Sequence, residues 1–203
     1  MSPYAFYQFW LNVSDAEVPG LLRVFSFKSR DEIDQLARES AERPAARLGQ
    51  RALAEELTTL VHGADETRRA IAASQALFGQ GELAEIDERT LAAAKAEVPS
   101  ANVTIRGMTG AVTVTAPVGS AGTEVPTVDA SSLPSVADLM AATKIVASKS
   151  AARRAIAEGG AYLNNRKVTD VDAVPDIDDL LHGRYLILRR GKRTVGAVEV
   201  VSG

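Results

Sequence analysis

A chain of 203 residues, 46% hydrophobic and 24% charged, has the make-up of one or two globular domains, and that excludes a disordered chain. It has no cysteine, which removes disulfides and thiolate metal sites and makes the cytoplasm the expected location, and no apolar run approaches membrane-spanning length, so no membrane partner is expected. The net charge of −3 is uneven: residues 135–203 carry 11 Lys+Arg against 8 Asp+Glu, and residues 1–134 carry 12 against 18, which predicts two units with different surfaces.

Ser2-Pro3 predicts a helix start, a capping serine with proline in the first turn. Tyr4, Phe6, Tyr7, Phe9 and Trp10 follow; they point all round this helix, so it is expected either as a core helix covered within this domain or as one partly covered by a missing neighbour. Ser14 to Glu17 and Ser29 to Glu32 both have capping-box spacing. The first introduces Val18, Leu21, Leu22 and Phe25, and the second Ile33, Leu36 and Ala37, at helical spacing. Arg43-Pro44 breaks the chain. A long amphipathic helix then runs from Leu48 to His62-Gly63, Asp65 opens another that stops before Gly79, and Asp87 caps a last one over 88–96. Residues 1–98 are thus expected as a helical domain.

Residues 99–134 are rich in Gly, Ser, Thr, Pro and Val, and only 111–115 alternate, weakly; the stretch is expected as a long linker. Residues 135–203 predict a small α+β domain. Ser135 caps one helix and Ser148 a second, whose Lys149, Arg153 and Arg154 fall on adjoining faces. Gly159-Gly160 ends it. A short strand, 161–163, leads to the turn pair Asn164-Asn165, flanked by Arg166 and Lys167. Strands over 184–189 and 194–201 enclose the basic turn Arg190-Gly191-Lys192-Arg193. A basic helix beside basic turns suits a phosphate backbone better than a small substrate. Asp170, Asp172, Asp176, Asp178 and Asp179 lack the spacing of a calcium loop and predict a solvated, turn-rich segment, so no metal site is expected. His62 and His182 stand outside any metal or nucleophile motif, and neither a P-loop nor a dinucleotide fingerprint occurs, so no catalytic residue is expected on this chain.

Several stretches carry a family likeness. S-P-Y-A-F-Y-Q-F-W at 2–10, F-S-F-K-S-R-D-E-I at 25–33, L-A-E-E-L-T-T-L-V-H-G at 53–63 and A-S-Q-A-L-F at 73–78 closely resemble the bacterial tyrosyl-tRNA synthetases just after their K-M-S-K-S loop. S-K-S-A-A-R-R, E-G-G-A-Y-L-N-N and L-R-R-G-K-R resemble the family's C-terminal domain, of an RNA-binding type first named for a ribosomal small-subunit protein. The resemblance implies a class I aminoacyl-tRNA synthetase that joins tyrosine to its tRNA, tRNA(Tyr), using ATP with magnesium. It also implies that the catalytic domain precedes residue 1 and is missing, that Met1 is an engineered start, and that this chain alone is inactive and needs no cofactor. A homodimer is implied for the full-length enzyme and a monomer for this part.

In the family the helical domain reads the anticodon, and the C-terminal domain grips the long variable arm. Carried onto this sequence, Lys149, Arg153, Arg154, Arg166 and Lys167 are expected phosphate contacts, with Asn164 and Asn165 hydrogen-bonding backbone or base edges. Arg184, Arg190, Lys192 and Arg193 are second choices, and Asn12 and Asp15 are anticodon candidates. Taken singly, each cation is more simply a solvated face, and Asp15 is more simply a helix cap. A non-enzymatic RNA-binding adaptor, and a structural interaction module without RNA, are the other readings.

Overall fold

The structure, a computed structural model, describes residues 1–105, 112–115 and 133–202. It divides into two compact units, Met1–Ser74 and Gln75–Gly203.

The first unit is helical. In α1 (Pro3–Leu11) the Ser2 hydroxyl accepts the Ala5 amide at 3.1 Å, as the capping pattern requires. This helix buries Tyr4 and Tyr7 but leaves Phe9 exposed, so it is not covered all round. α2 (Val18–Phe25) differs at its start from expectation: Glu17 is the N-cap and makes no side-chain cap bond. Its carboxylate instead accepts from the Ser14 hydroxyl at 2.6 Å and the Ser14 amide at 3.4 Å, closing a turn ahead of the helix. α3 (Arg30–Glu42) has the complete box, with Ser29 accepting the Glu32 amide at 3.3 Å and Glu32 accepting the Ser29 amide at 2.7 Å. After a short 3₁₀ turn at Pro44–Ala46 come α4 (Leu48–His62) and α5 (Ala64–Leu77), which carries the chain across the division. Val18, Leu22, Ile33, Leu53 and Leu57 form the core, edged by Phe6, Trp10, Val13, Leu21 and Leu36. The same 3.6-residue stripes that predicted each helix are the residues that meet here.

The second unit is α+β. It holds α6 (Glu88–Ala96), α7 (Val136–Ala142) and α8 (Lys149–Ala157). Its strands are β1 (Ser100–Ile105), β2 (Val112–Thr115), β3 (Ala161–Leu163), β4 (Arg166–Lys167), β5 (Tyr185–Arg190) and β6 (Thr194–Ser202). They form one sheet in the order β2-β1-β6-β5-β3-β4, antiparallel except for the β1–β6 pair. One face packs Leu186, Leu188, Ala161, Leu163 and Val198 against Leu139, Met140, Ala152 and Ile156 of α7 and α8. Alternation along β5 turns Tyr185, Ile187 and Arg189 to the other face. There the segment 76–96 is tied to the sheet: Asn165 donates to Ala76 O at 2.7 Å, His182 Nε2 lies 2.7 Å from Ile86 O, and Lys95 pairs with Glu199.

The expected linker over 99–134 therefore contains two strands. Ala101 and Val103 point into the core, and Ser100 pairs with Ala197 and Ile105 with Ser202. Residues 106–111 and 116–132 lie outside the described residues. The part of the expected helical domain from Gln75 onward belongs to the second unit.

Glu199 joins Lys95 on α6 and Arg184 beside β5. Lys95 also donates to Asn102 at 3.0 Å. The Lys95 hydrogen bond, more than the Arg184 one, holds the Glu199 carboxyl below its ordinary value, against the opposing effect of burial. A lowered folded value means the stabilisation is complete above the unfolded value, about 4.5, and is lost as pH falls through the lower folded one. Glu199→Gln is thus expected to make the second unit less sensitive to acid between about pH 5 and 3. Unfolding curves that shift equally with pH in both proteins would contradict this.

Candidate nucleic-acid interface

The cations expected to hold phosphate separate into two groups. Lys149 pairs with Asp138 at 2.7 Å, Arg153 with Asp172, Arg166 with Asp179 at 3.2 Å, and Arg184 with Glu88 at 3.3 Å and with Glu199. The acidic segment 170–179 thus supplies counter-charge to Arg153 and Arg166 as well as turn chemistry: Asp176 and Asp179 cap the 3₁₀ turn Ile177–Asp179. Among the described residues Arg154, Lys167, Arg190, Lys192 and Arg193 have no acidic partner, and all five are exposed.

These five gather about the glycine pair after α8. Arg154 lies in the last turn of α8, and Gly159 takes φ +71. The Lys167 Nζ rests against Gly159, 2.6 Å from where a Cβ would lie. The amide of Gly191, which opens the β5–β6 turn with φ +60, donates to Gly160 O at 2.7 Å. That bond brings Arg190, Lys192 and Arg193 to the end of α8. Glu158, the C-cap residue of α8, is the acid closest in sequence. Three of the four second choices of the sequence reading, Arg190, Lys192 and Arg193 about the β5–β6 turn, thus stand with the free cations, whereas the fourth, Arg184, and three of the first choices, Lys149, Arg153 and Arg166, are ion-paired.

The two asparagines are used differently from expectation. Asn164 and Asn165 take φ of 47° and 65°, a two-residue type I′ turn between β3 and β4. Asn164 accepts the Ile187 amide at 2.9 Å and donates to Asp179 O at 2.5 Å. Asn165 donates to Ala76 O at 2.7 Å and Gly81 O at 3.4 Å. Both donor groups face the protein, because a type I′ turn folds these short amides back onto neighbouring backbone. These bonds shape the edge of the sheet.

Sequence reading overlooked Arg189. It is buried, its guanidinium carbon lies 4.0 Å from the Tyr162 ring centroid, and Nη1 donates to Gly191 O at 2.7 Å. Only its register opposite Tyr162 distinguishes it from Arg190, and register is not visible before strands are paired.

In the first unit, Asn12 is the exposed C-cap of α1. Asp15 caps no helix; it is exposed, and its Oδ1 accepts from Nε2 of Gln50 at 2.5 Å. Gln50 is buried on α4. Asp15 edges a cleft of about 320 Å³, walled by Val18, Pro19, Ala37, Ala41 and Pro44 and bordered by Arg47. A fixed carboxylate beside an apolar wall can accept hydrogen bonds from a flat, polar-edged ring.

A family profile described as the tyrosine–tRNA ligase SYY-like C-terminal domain matches residues 118–196. A second, described as class I tRNA synthetases (W and Y), matches residues 1–79. The tyrosine–tRNA ligase of Streptomyces avermitilis is 56% identical over 202 residues, spanning 100% of this chain and 42% of that protein. That of Streptomyces coelicolor is 55% identical, over 98% of this chain and 41% of the relative, and that of Thermobifida fusca 54%, over 97% and 40%. The chain spans about two fifths of the length of the curated relatives it matches. Two profiles in the same order as the two units, together with identity above one half along almost the whole chain, place it in the tyrosyl-tRNA synthetase family, of which it carries the C-terminal region.

Proposed function

We propose that this chain is the tRNA-holding part of a tyrosine–tRNA ligase, and that it recognises the anticodon and the variable arm of tRNA(Tyr) for ATP-dependent tyrosylation by a catalytic domain carried elsewhere. The observation behind this is the set of five cations without acidic partners around Gly159-Gly160. A cluster that the fold leaves uncompensated is costly to assemble through self-repulsion, and a polyanion relieves that cost. The second unit is the grip on the variable arm. The first unit reads the anticodon, with Asp15 and the cleft beside it accepting from a base edge and Asn12 alongside.

Phe9, Val24, Phe25, Phe27, Leu60 and Val61 are exposed on the first unit. Exposed apolar side chains of this kind suit contact with the catalytic domain. The homodimer of the full-length enzyme would form through that domain, leaving this part a monomer in the cytoplasm. Among the described residues no group of three His, Asp or Glu is placed to hold a metal ion, and ATP with magnesium would belong to the catalytic domain.

The test is titration of the chain with tRNA(Tyr) across a range of salt. With about five phosphates neutralised, log K is expected to fall by ~4 per decade of salt on duplex-like RNA. Asp15→Asn is expected to weaken discrimination among anticodon variants by about tenfold while leaving that slope unchanged. A flat salt dependence removes the phosphate grip. Unaltered anticodon discrimination in Asp15→Asn removes the base contact.

A further inference from the structure

Arg189 is 8% exposed, and no carboxylate pairs with it among the described residues. Its Nε is buried without a hydrogen-bond partner. Burying a cation without a carboxylate is expensive, and an apolar side chain of similar volume would fill the same space more cheaply. What the guanidinium does instead is join three segments. It stacks on Tyr162, its cross-strand neighbour on β3. Its Nη2 lies where Gly79, in the turn after α5, has no side chain; a Cβ there would stand 2.9 Å from it. Its Nη1 donates to Gly191 O.

Gly191 is therefore fixed from both sides, its amide to Gly160 and its carbonyl to Arg189. The three-residue turn between the paired Arg190 and Thr194 opens on a residue at φ +60, and among the described residues no ion pair holds the exposed Arg190, Lys192 and Arg193. A flat guanidinium stacks on a ring and donates in its own plane at once, which an ammonium cannot do.

We propose that Arg189 is a positioning residue for RNA binding: it clamps the carbonyl of Gly191 and so holds the turn that carries Lys192 and Arg193, beside Arg190, in one conformation, without touching RNA itself. This rests on the proposed RNA-holding role of the β5–β6 turn. Removing the clamp leaves the three charges in place but frees the turn, so that binding has to order it.

The test is a double-mutant cycle on the whole chain, with tRNA(Tyr) affinity measured at one fixed salt concentration. Arg189→Met is expected to lower affinity about tenfold when the turn carries its charges, and to cost nothing further when Arg190, Lys192 and Arg193 are already glutamine. Arg189→Lys does not rescue, and Tyr162→Leu, which keeps the charge but removes the stack, reproduces the loss. Equal losses in both backgrounds mean that Arg189 contacts RNA directly and overturn the proposal, as does rescue by lysine. Hydrogen exchange at the Gly191 amide is a second readout that needs no RNA: it is expected to accelerate in Arg189→Met, and unchanged exchange overturns the clamp. If the unaltered chain binds no tRNA, the RNA-holding role fails, while the exchange measurement still decides whether Arg189 holds the turn.

Discussion

Changing Arg154, Arg190, Lys192 and Arg193 together to glutamine is expected to weaken tRNA binding by roughly 10³-fold at about 0.1 M salt, and to reduce the salt slope by about 3. Each phosphate contact contributes about 0.7 to 0.9 to that slope, close to one decade of affinity at this salt concentration. The four side chains are exposed and without acidic partners among the described residues, so their loss leaves no buried charge behind. The contrasting variant changes Lys149, Arg153 and Arg166, which face Asp138, Asp172 and Asp179. Phosphate binding by those three must first displace a carboxylate, and the freed acids then repel the backbone. Exposed pairs of this kind contribute little to folding, so both variants remain folded, and the second is expected to lose less than about tenfold in affinity. Equal losses from the two variants would show that the ion pairs open freely on binding and that the division between paired and unpaired cations has no functional meaning.

That division could not be drawn from the sequence. The S-K-S-A-A-R-R stretch announces a helix, its cap and its cations, and α8 has all three, with Ser148 accepting the Ala151 amide at 3.2 Å. Capping and helical spacing are local, so they survive without knowledge of the fold. What each cation faces is set by segments far along the chain. Asp172 meets Arg153 and Asp179 meets Arg166 only after the acidic segment packs beside α8 and the β3–β4 turn. Likewise β1 pairs in parallel with a strand at the other end of the unit, and its three alternating positions are too few to be distinguished from linker composition. Asp15 shows the opposite case. Its spacing to the next helix resembles a cap, yet Glu17 takes that place and Gln50, from α4, turns the carboxylate to another use.

Gly49→Ala is expected to destabilise the first unit by about 2–3 kcal/mol, lowering its melting temperature by roughly 10–20 °C. The two opposing effects can be compared. Alanine is the better helix former by about 1 kcal/mol, and Gly49 lies in the first turn of α4, where the gain is smaller still. Against it, a Cβ at position 49 falls inside the van der Waals shell of Val18 Cγ1 and stands 3.3 Å from Ser40 Oγ. Neither neighbour can withdraw cheaply. Val18 is buried, and its branched Cβ restricts it to few rotamers. Ser40 is held by two bonds, accepting the Gly49 amide at 3.1 Å and donating to Leu36 O at 2.7 Å. The helices therefore have to part. Because Gln50 is the next residue and fixes Asp15, the same movement disturbs the carboxylate beside the cleft. Val18→Ala added to Gly49→Ala opens the space on the other side, so the double variant is expected to lose less than the two single losses together. Strict additivity, or a Gly49→Ala protein as stable as the original, would mean that α2 and α4 adjust without strain and that helix packing does not fix the position of Asp15.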